Sequence, residues 1–233
     1  MSTILITGAN RGIGLEAVRQ YAEDGWTVLA CCRSPNDAHE LHGLAKKSDG
    51  GIELYPLDVT DAERRAELAS RLEGRPIDIL LNNAGISGGW NSQGFGQCQT
   101  DIWLEVFHTN VIGAMLMTQA FVENIAASER KIVANMSSIL GSISKAGAFQ
   151  GDYLYRSSKA ALNMVNVCCA HDLAERGITV VALHPGWVRT DMGGPDATLS
   201  VQESVTKLRN NLAQITFSDS GRFIGVDGAT IPW

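Results

Sequence analysis

The sequence predicts a doubly wound α/β fold, one parallel sheet covered by helices on both faces. Three observations carry that prediction. Short aliphatic and β-branched runs alternate with longer helical patterns along the chain. The strand runs are apolar throughout, as strands covered on both faces are, and do not alternate with polar residues. Finally, Gly8, Asp58, Asn83, Ser138 and Pro185 each follow a strand. In open parallel sheets the ligand lies beyond the carboxyl ends of the strands.

Taken in order, TILIT at 3–7 is a buried strand, and the helix after it runs through EAVRQYAED to a stop at Gly25. TVLACC at 27–32 is the second strand and IELYPL at 52–57 the third, with a short helix over 36–47 between them. Residues 61–74 read as a charged helix with Asp61 in its first turn and Gly74 as its stop. DILLNNAG at 78–85, KIVANMSS at 131–138 and ITVVALHPG at 178–186 are strands running into turns. Two long helices, about 101–126 and 153–176, complete the pattern. With no internal repeat and no linker, residues 1–233 read as a single domain.

Composition narrows the function classes. Of 233 residues, 45% are hydrophobic and 19% charged, which suits a chain with a sizeable core. A formal net charge of −6 with no basic run argues against nucleic acid or an anionic membrane as a partner. The start of the chain lacks the pattern of a secretory signal, and no stretch approaches the length of a membrane span, so a cytoplasmic location is expected. The five cysteines include two adjacent pairs, Cys31–Cys32 and Cys168–Cys169. Neighbours point apart in a strand or helix, so they read as small buried hydrophobes and no metal site is expected.

TGANRGIG at 7–14 joins the first strand to the first helix. Gly8, Gly12 and Gly14 permit a tight turn, a close backbone approach and free N–H groups at a helix N-terminus, which is a seat for a pyrophosphate. At the other end of the chain, Tyr155 and Lys159 are four residues apart and share one helix face, whereas Tyr153 points elsewhere or precedes the helix. Bringing a phenol from a pKa near 10 to near 7 takes roughly 4 kcal/mol. An ammonium at about 4 Å supplies about that much at an effective dielectric near 20, although burial opposes it.

The turn at 7–14, LNNAG at 81–85, the Tyr155/Lys159 pair and HPGWVRT at 184–190 together resemble a short-chain dehydrogenase/reductase, a Rossmann-type family, and do so over nearly the whole chain. YRSSKAALN, HPGWVRTDMGGP and the terminal IPW further resemble its C-factor and Sniffer-type carbonyl reductases. The resemblance implies a nicotinamide cofactor held by Gly8, Asn10, Arg11, Gly12, Ile13 and Gly14. It gives Asp58 and Val59 to the adenine and Asn83, Ala84 and Gly85 to the adenosine ribose. Tyr155 and Lys159 reach the far end, where Pro185, Gly186, Val188 and Thr190 hold the nicotinamide. Cys32 stands where NAD-preferring members carry an acid; Arg33 follows it and Arg11 lies in the turn, a pair suited to a 2′-phosphate. NADP(H) is therefore expected over NAD(H).

The same resemblance makes Tyr155 the proton donor, Lys159 its partner, Ser138 the second hydroxyl on the substrate carbonyl, and Asn110 the holder of a water that links Lys159 to solvent. Ser138 lies seventeen positions before Tyr155, farther than the family's usual gap, and Ser142 is a rival for its role. His184 and His108 read as structural. Residues 191–200, within a substrate-covering segment at 190–215, carry no Lys or Arg, and Gly193–Gly194 are hinge candidates. Trp90, Phe95, Phe149, Trp187 and Met192 are candidates for an apolar wall, so a small uncharged aldehyde or ketone is expected. Residues 160–174 are apolar almost all round, which predicts a homodimer or homotetramer through that helix and 101–126. Alcohol oxidation at the same site and a non-catalytic NADP-binding sensor are the alternatives.

Overall fold

The computed structural model describes residues 2–148 and 150–233. Seven parallel strands form one sheet in the order β3-β2-β1-β4-β5-β6-β7. They are β1 (Thr3–Thr7), β2 (Thr27–Cys32), β3 (Ile52–Pro56), β4 (Ile79–Asn82), β5 (Ile132–Met136), β6 (Thr179–His184) and β7 (Phe223–Gly225). The chain winds outward one way from β1 and then, after β3, returns to β4 and winds the other way. The switch between β1 and β4 leaves a crevice at their carboxyl ends.

Strand geometry divides the core into two halves. Ile4, Ile6, Val28, Ala30, Ile79 and Leu81 face one side and pack with α1 (Gly12–Glu23), α2 (His39–Lys47) and α7 (Val201–Gln214). Their neighbours Leu5, Leu29, Leu80 and Val133 face the other side, under α3 (Ala62–Arg71), α5 (Ala114–Ala126) and α6 (Tyr153–Asp172). That alternation from continuous apolar strands is what a doubly covered sheet requires.

A buried polar ladder locks α5 and α6 to the sheet. Asn82 donates to Asn135 at 2.9 Å and to Thr118 at 3.2 Å, and Asn135 donates to Asn166 on α6 at 3.0 Å. The helix read over 101–126 is α4 (Thr100–Phe107) and α5 joined by a π-turn at His108–Gly113. A Cβ on Gly113 would lie 2.8 Å from Val59 Cγ2, so glycine lets the widened turn sit against the end of β3 and its loop.

Several sequence readings need correction. The helix α7 went unread although Ser200 and Glu203 form a capping box in the S-x-x-E spacing. β7, three residues long, is too short for a periodic signal. Asp61 is the N-cap of α3, accepting from Glu63 and Arg64 N–H, and the helix ends at Arg71. Of the cysteines, Cys31, Cys32 and Cys169 are buried as read, but Cys168 is exposed and Cys98 only half-buried. No helix among the described residues is long and apolar enough to cross a membrane, and no metal-holding cluster occurs among them.

Candidate active site

The crevice between β1 and β4 is built by a clasp. The buried Thr7 hydroxyl accepts from the N–H groups of Asn83 and Ala84, both at 3.0 Å. Asn83 Nδ2 returns to the carbonyls of Thr7 at 3.0 Å and Gly8 at 3.2 Å. Gly8 has φ +65 and Gly12 φ +52, a conformation that glycine adopts at no steric cost. A Cβ on Gly14 would lie 2.2 Å from the Gly8 carbonyl oxygen, so Gly14 is required by contact within the turn. It is buried under the cleft, whereas Gly8, Asn10, Arg11, Gly12 and Ile13 line it.

The cleft encloses about 1060 Å³, which is large for a small-molecule site and suits an extended ligand with room for a second one. Asp58, Val59, Asn83, Ala84 and Gly85 line one end. Burial would raise the Asp58 carboxyl, but two hydrogen bonds from Thr60 (2.9 and 2.6 Å) and the charges of Arg33 and His108 hold it below the usual carboxylate range. Arg33 is exposed at the rim. Arg11 does not converge with it freely, because its guanidinium pairs with Asp191 of the covering segment at 2.8 Å.

At the opposite end α6 presents Tyr155 and Lys159, both buried. The Ser138 hydroxyl, at the end of β5, accepts from Leu140 N–H at 3.2 Å and lines the cleft with the Tyr155 phenol, whose upward shift it opposes. Ser142 is turned away, its hydroxyl donating to the carbonyls of Pro232 at 2.5 Å and Trp233 at 3.2 Å. Lys159 Nζ lies 5.6 Å from the Tyr155 ring centre and donates to the Met136 carbonyl at 2.7 Å. Tyr153 is the exposed first residue of α6.

Burial, and not the lysine, dominates the phenol. It pushes Tyr155 up to about 12, with the Ser138 hydroxyl opposing, and pushes Lys159 down to about 8. The lowered phenol expected from sequence is therefore absent from the chain by itself. Asn110 lies in the π-turn, and its side chain clamps the Ile86 peptide, accepting from N at 2.8 Å and donating to O at 2.9 Å, and donates to Ser158 at 3.0 Å.

Sequence reading missed Gln93. This fully buried side chain accepts from Tyr155 N–H at 2.9 Å and donates to the carbonyls of Ser87 at 2.6 Å and Gly89 at 2.9 Å. It thus caps α6 from another loop and folds that loop at the same time. Nothing in the segment GGWNSQGFGQ signals it, because the partner is sixty residues away. The loop also carries Trp90, edge-on to Tyr155 with ring centres 5.2 Å apart.

Beyond β6, Pro185, Gly186, Val188 and Thr190 line the cleft, and Gly186 has φ +82. The covering segment is held in place: Trp90 Nε1 donates to the Met192 carbonyl at 2.9 Å and Trp187 Nε1 to the Gly193 carbonyl at 2.7 Å. Gly193 is pressed against the Val188 carbonyl, where a Cβ would lie 2.0 Å away, so it is a packing glycine. Only Gly194, with φ +78 and nothing near its Cβ position, matches the hinge reading. Trp90, Trp187 and Met192 line the cleft; Phe95 is 92% exposed and outside it, and Phe149 lies outside the described residues.

A doubly wound sheet with a glycine turn at its switch point and a cleft along the strand ends defines a protein of the dinucleotide-binding class. Comparison with known proteins is more specific. Residues 2–198 match the family model of the short chain dehydrogenases, and the chain belongs to that family. It is similar to the carbonyl reductase Sniffer of D. melanogaster at 31% identity and a TM-score of 0.93, each chain covered in full. It is similar to the NADPH-bound carbonyl reductase from chicken fatty liver at 35% identity and a TM-score of 0.91, covering 100% of this chain and 99% of that one. The C-signal of Myxococcus xanthus is 39% identical over 158 residues, 68% of this chain and 93% of that protein. The family and the C-factor and Sniffer-type likeness read from the motifs are thus confirmed.

His184 also lines the cleft, and its buried Nδ1 has no hydrogen-bond partner among the described residues. Burial pushes it down to about 4, against the opposing charge of Asp227, so it is neutral and acts by packing. Unfolded, the imidazole takes a proton near pH 6.5, whereas folded it resists until about 4. Its contribution is therefore complete above pH 6.5 and lost as pH falls through that window. In urea melts between pH 7 and pH 4, His184→Gln should lose less stability than the wild type, by a difference on the order of 3 kcal/mol.

Proposed function

We propose that the protein is an NADPH-dependent carbonyl reductase that converts a small uncharged aldehyde or ketone to its alcohol. The observation that carries this reading is that Ser138, Tyr155 and Lys159 line one cleft, with Lys159 on the next turn of α6, 5.6 Å from the Tyr155 ring centre. The glycine turn, with Gly8 and Gly12 at positive φ and Gly14 packed on the Gly8 carbonyl, fits a pyrophosphate against the N-terminus of α1. Arg33 at the rim fits a 2′-phosphate, and carbonyl reductases of similar structure are known with NADP bound. When bound, the reduced nicotinamide supplies the hydride.

The chain's own residues supply the rest. Ser138 and Tyr155 hydroxyls converge on the substrate oxygen, and Tyr155 donates the proton that balances the hydride. The phenol is protonated at neutral pH, as a donor must be. Lys159, held on the Met136 carbonyl and still charged at neutral pH, is placed to stabilise the phenolate as the phenol loses its proton. Asn110 acts by position: its clamp on Ile86 and Ser158 holds the loop after β4 against α6. The same groups serve alcohol oxidation in reverse. A non-catalytic sensor, the reading that the C-signal likeness brings in, needs none of Ser138, Tyr155 and Lys159, and the three stand together here.

Leu104, Ile112 and Met115 on α4, its π-turn and α5, with Met164 on α6, are exposed large apolar side chains. They support self-association through these helices into a homodimer or homotetramer.

Tyr155→Phe should cut kcat on any accepted carbonyl by about 10²–10⁴-fold while NADPH still titrates normally by fluorescence; full activity in that variant would overturn the mechanism. Arg33→Ala should lower the ratio of NADPH to NADH affinity at least about tenfold, since Arg11 is already engaged by Asp191. Light scattering of the purified protein should give a mass two or four times that of the chain, and Met164→Glu should shift it towards one.

A further inference from the structure

On the reductase reading above, we propose that Asp152 is a specificity-determining residue: its carboxylate accepts a hydrogen bond from a hydroxyl carried next to the substrate carbonyl, so the preferred substrates are hydroxy-aldehydes or hydroxy-ketones. Asp152 precedes α6 and lines the same cleft as Tyr155, three residues further on.

An aspartate at this place ordinarily serves its own helix. N-cap residues take extended backbone angles, and the side chain then reaches the N–H groups of the first turn. Asp152 has φ 52 and ψ 38, in the left-handed region, and makes no side-chain cap. The capping has been transferred to Gln93, whose side chain takes the Tyr155 N–H at 2.9 Å and whose backbone carbonyl takes the Tyr153 N–H at 3.2 Å. The Asp152 carboxylate is left with no hydrogen-bond partner among the described residues. The cation whose charge reaches it is Arg156, one turn on, and Arg156 itself donates to the Ala146 carbonyl at 3.0 Å. Partial burial raises the Asp152 carboxyl above its ordinary value, the mark of an acid short of donors.

A half-buried carboxylate without donors, on the wall of a site where a carbonyl is held, selects by charge and by hydrogen bonding. It repels keto acids, and it rewards a substrate that brings a donor of its own. Residues 191–200 of the covering segment carry no Lys or Arg that would offset the first effect.

The test compares matched substrate pairs, hydroxyacetone with butanone and 2-hydroxyacetophenone with propiophenone, in the wild type and two variants. Asp152→Gly suits a positive φ, so it removes the carboxylate without imposing backbone strain, and Asp152→Asn keeps the shape and a weaker acceptor. The readout is the change, from wild type to variant, in the ratio of kcat/KM for the hydroxylated compound to that for its partner, which cancels the intrinsic reactivity of each carbonyl. The ratio should fall about ten- to hundredfold in Asp152→Gly and less in Asp152→Asn. The kcat/KM for the unhydroxylated compounds and the NADPH affinity should stay within about threefold. A ratio unchanged within twofold in Asp152→Gly would overturn the proposal and leave the reductase reading standing. Tight NADPH binding by the wild type without turnover of any of the four compounds would overturn both.

Discussion

The clasp between Thr7 and Asn83 is the interaction on which the rest depends. β1 and β4 pair along their length, yet the chain must part them at their carboxyl ends if anything is to bind there. Parting two strands strips backbone groups of their ladder partners, and a buried unpaired group costs roughly 1–3 kcal/mol. Here one hydroxyl and one amide take over those bonds: Thr7 Oγ1 receives two N–H groups, and Asn83 Nδ2 covers two carbonyls. The crevice is held open by satisfied polar groups, and the glycine turn and α1 are seated directly above it.

The catalytic end applies the opposite logic. Tyr155 and Lys159 are placed where water is scarce, and their charged forms are both disfavoured. Coulomb attraction between them would be worth several kcal/mol if both were charged, but desolvation acts on each one separately and wins in the empty chain. At neutral pH the phenol is thus protonated, while the lysine, lowered only to about 8, keeps its proton and its positive charge. The ammonium stands beside the phenol before any ligand arrives.

Much of this was legible from residues alone. The six longer strands, the helices α1 and α6 and the places of Gly8, Asp58, Asn83, Ser138 and Tyr155 followed from local pattern, because each sits at a strand end or repeats at helical spacing. Gln93, the Arg11–Asp191 pair and the Ile86 clamp of Asn110 did not, because each joins segments far apart in sequence by a contact that leaves no period behind. The balance between charge and burial was not legible for a related reason. Spacing showed which charges are neighbours, but burial, the larger influence, is a property of everything packed around them.

The long gap between Ser138 and Tyr155 has a structural resolution in Gly141. A Cβ there would lie 2.7 Å from the Lys159 Cβ and backbone carbon, so the turn after Ser138 rests directly on the backbone of α6. The two hydroxyls are registered by that contact at the base of the loop, and the residues beyond Ser142 leave and return without bearing on it. Chain length between serine and tyrosine is therefore decoupled from the distance between them. The loop is a natural place for lineages to gain or lose residues, and an engineer could graft a recognition peptide there while the chemistry beneath stays in register.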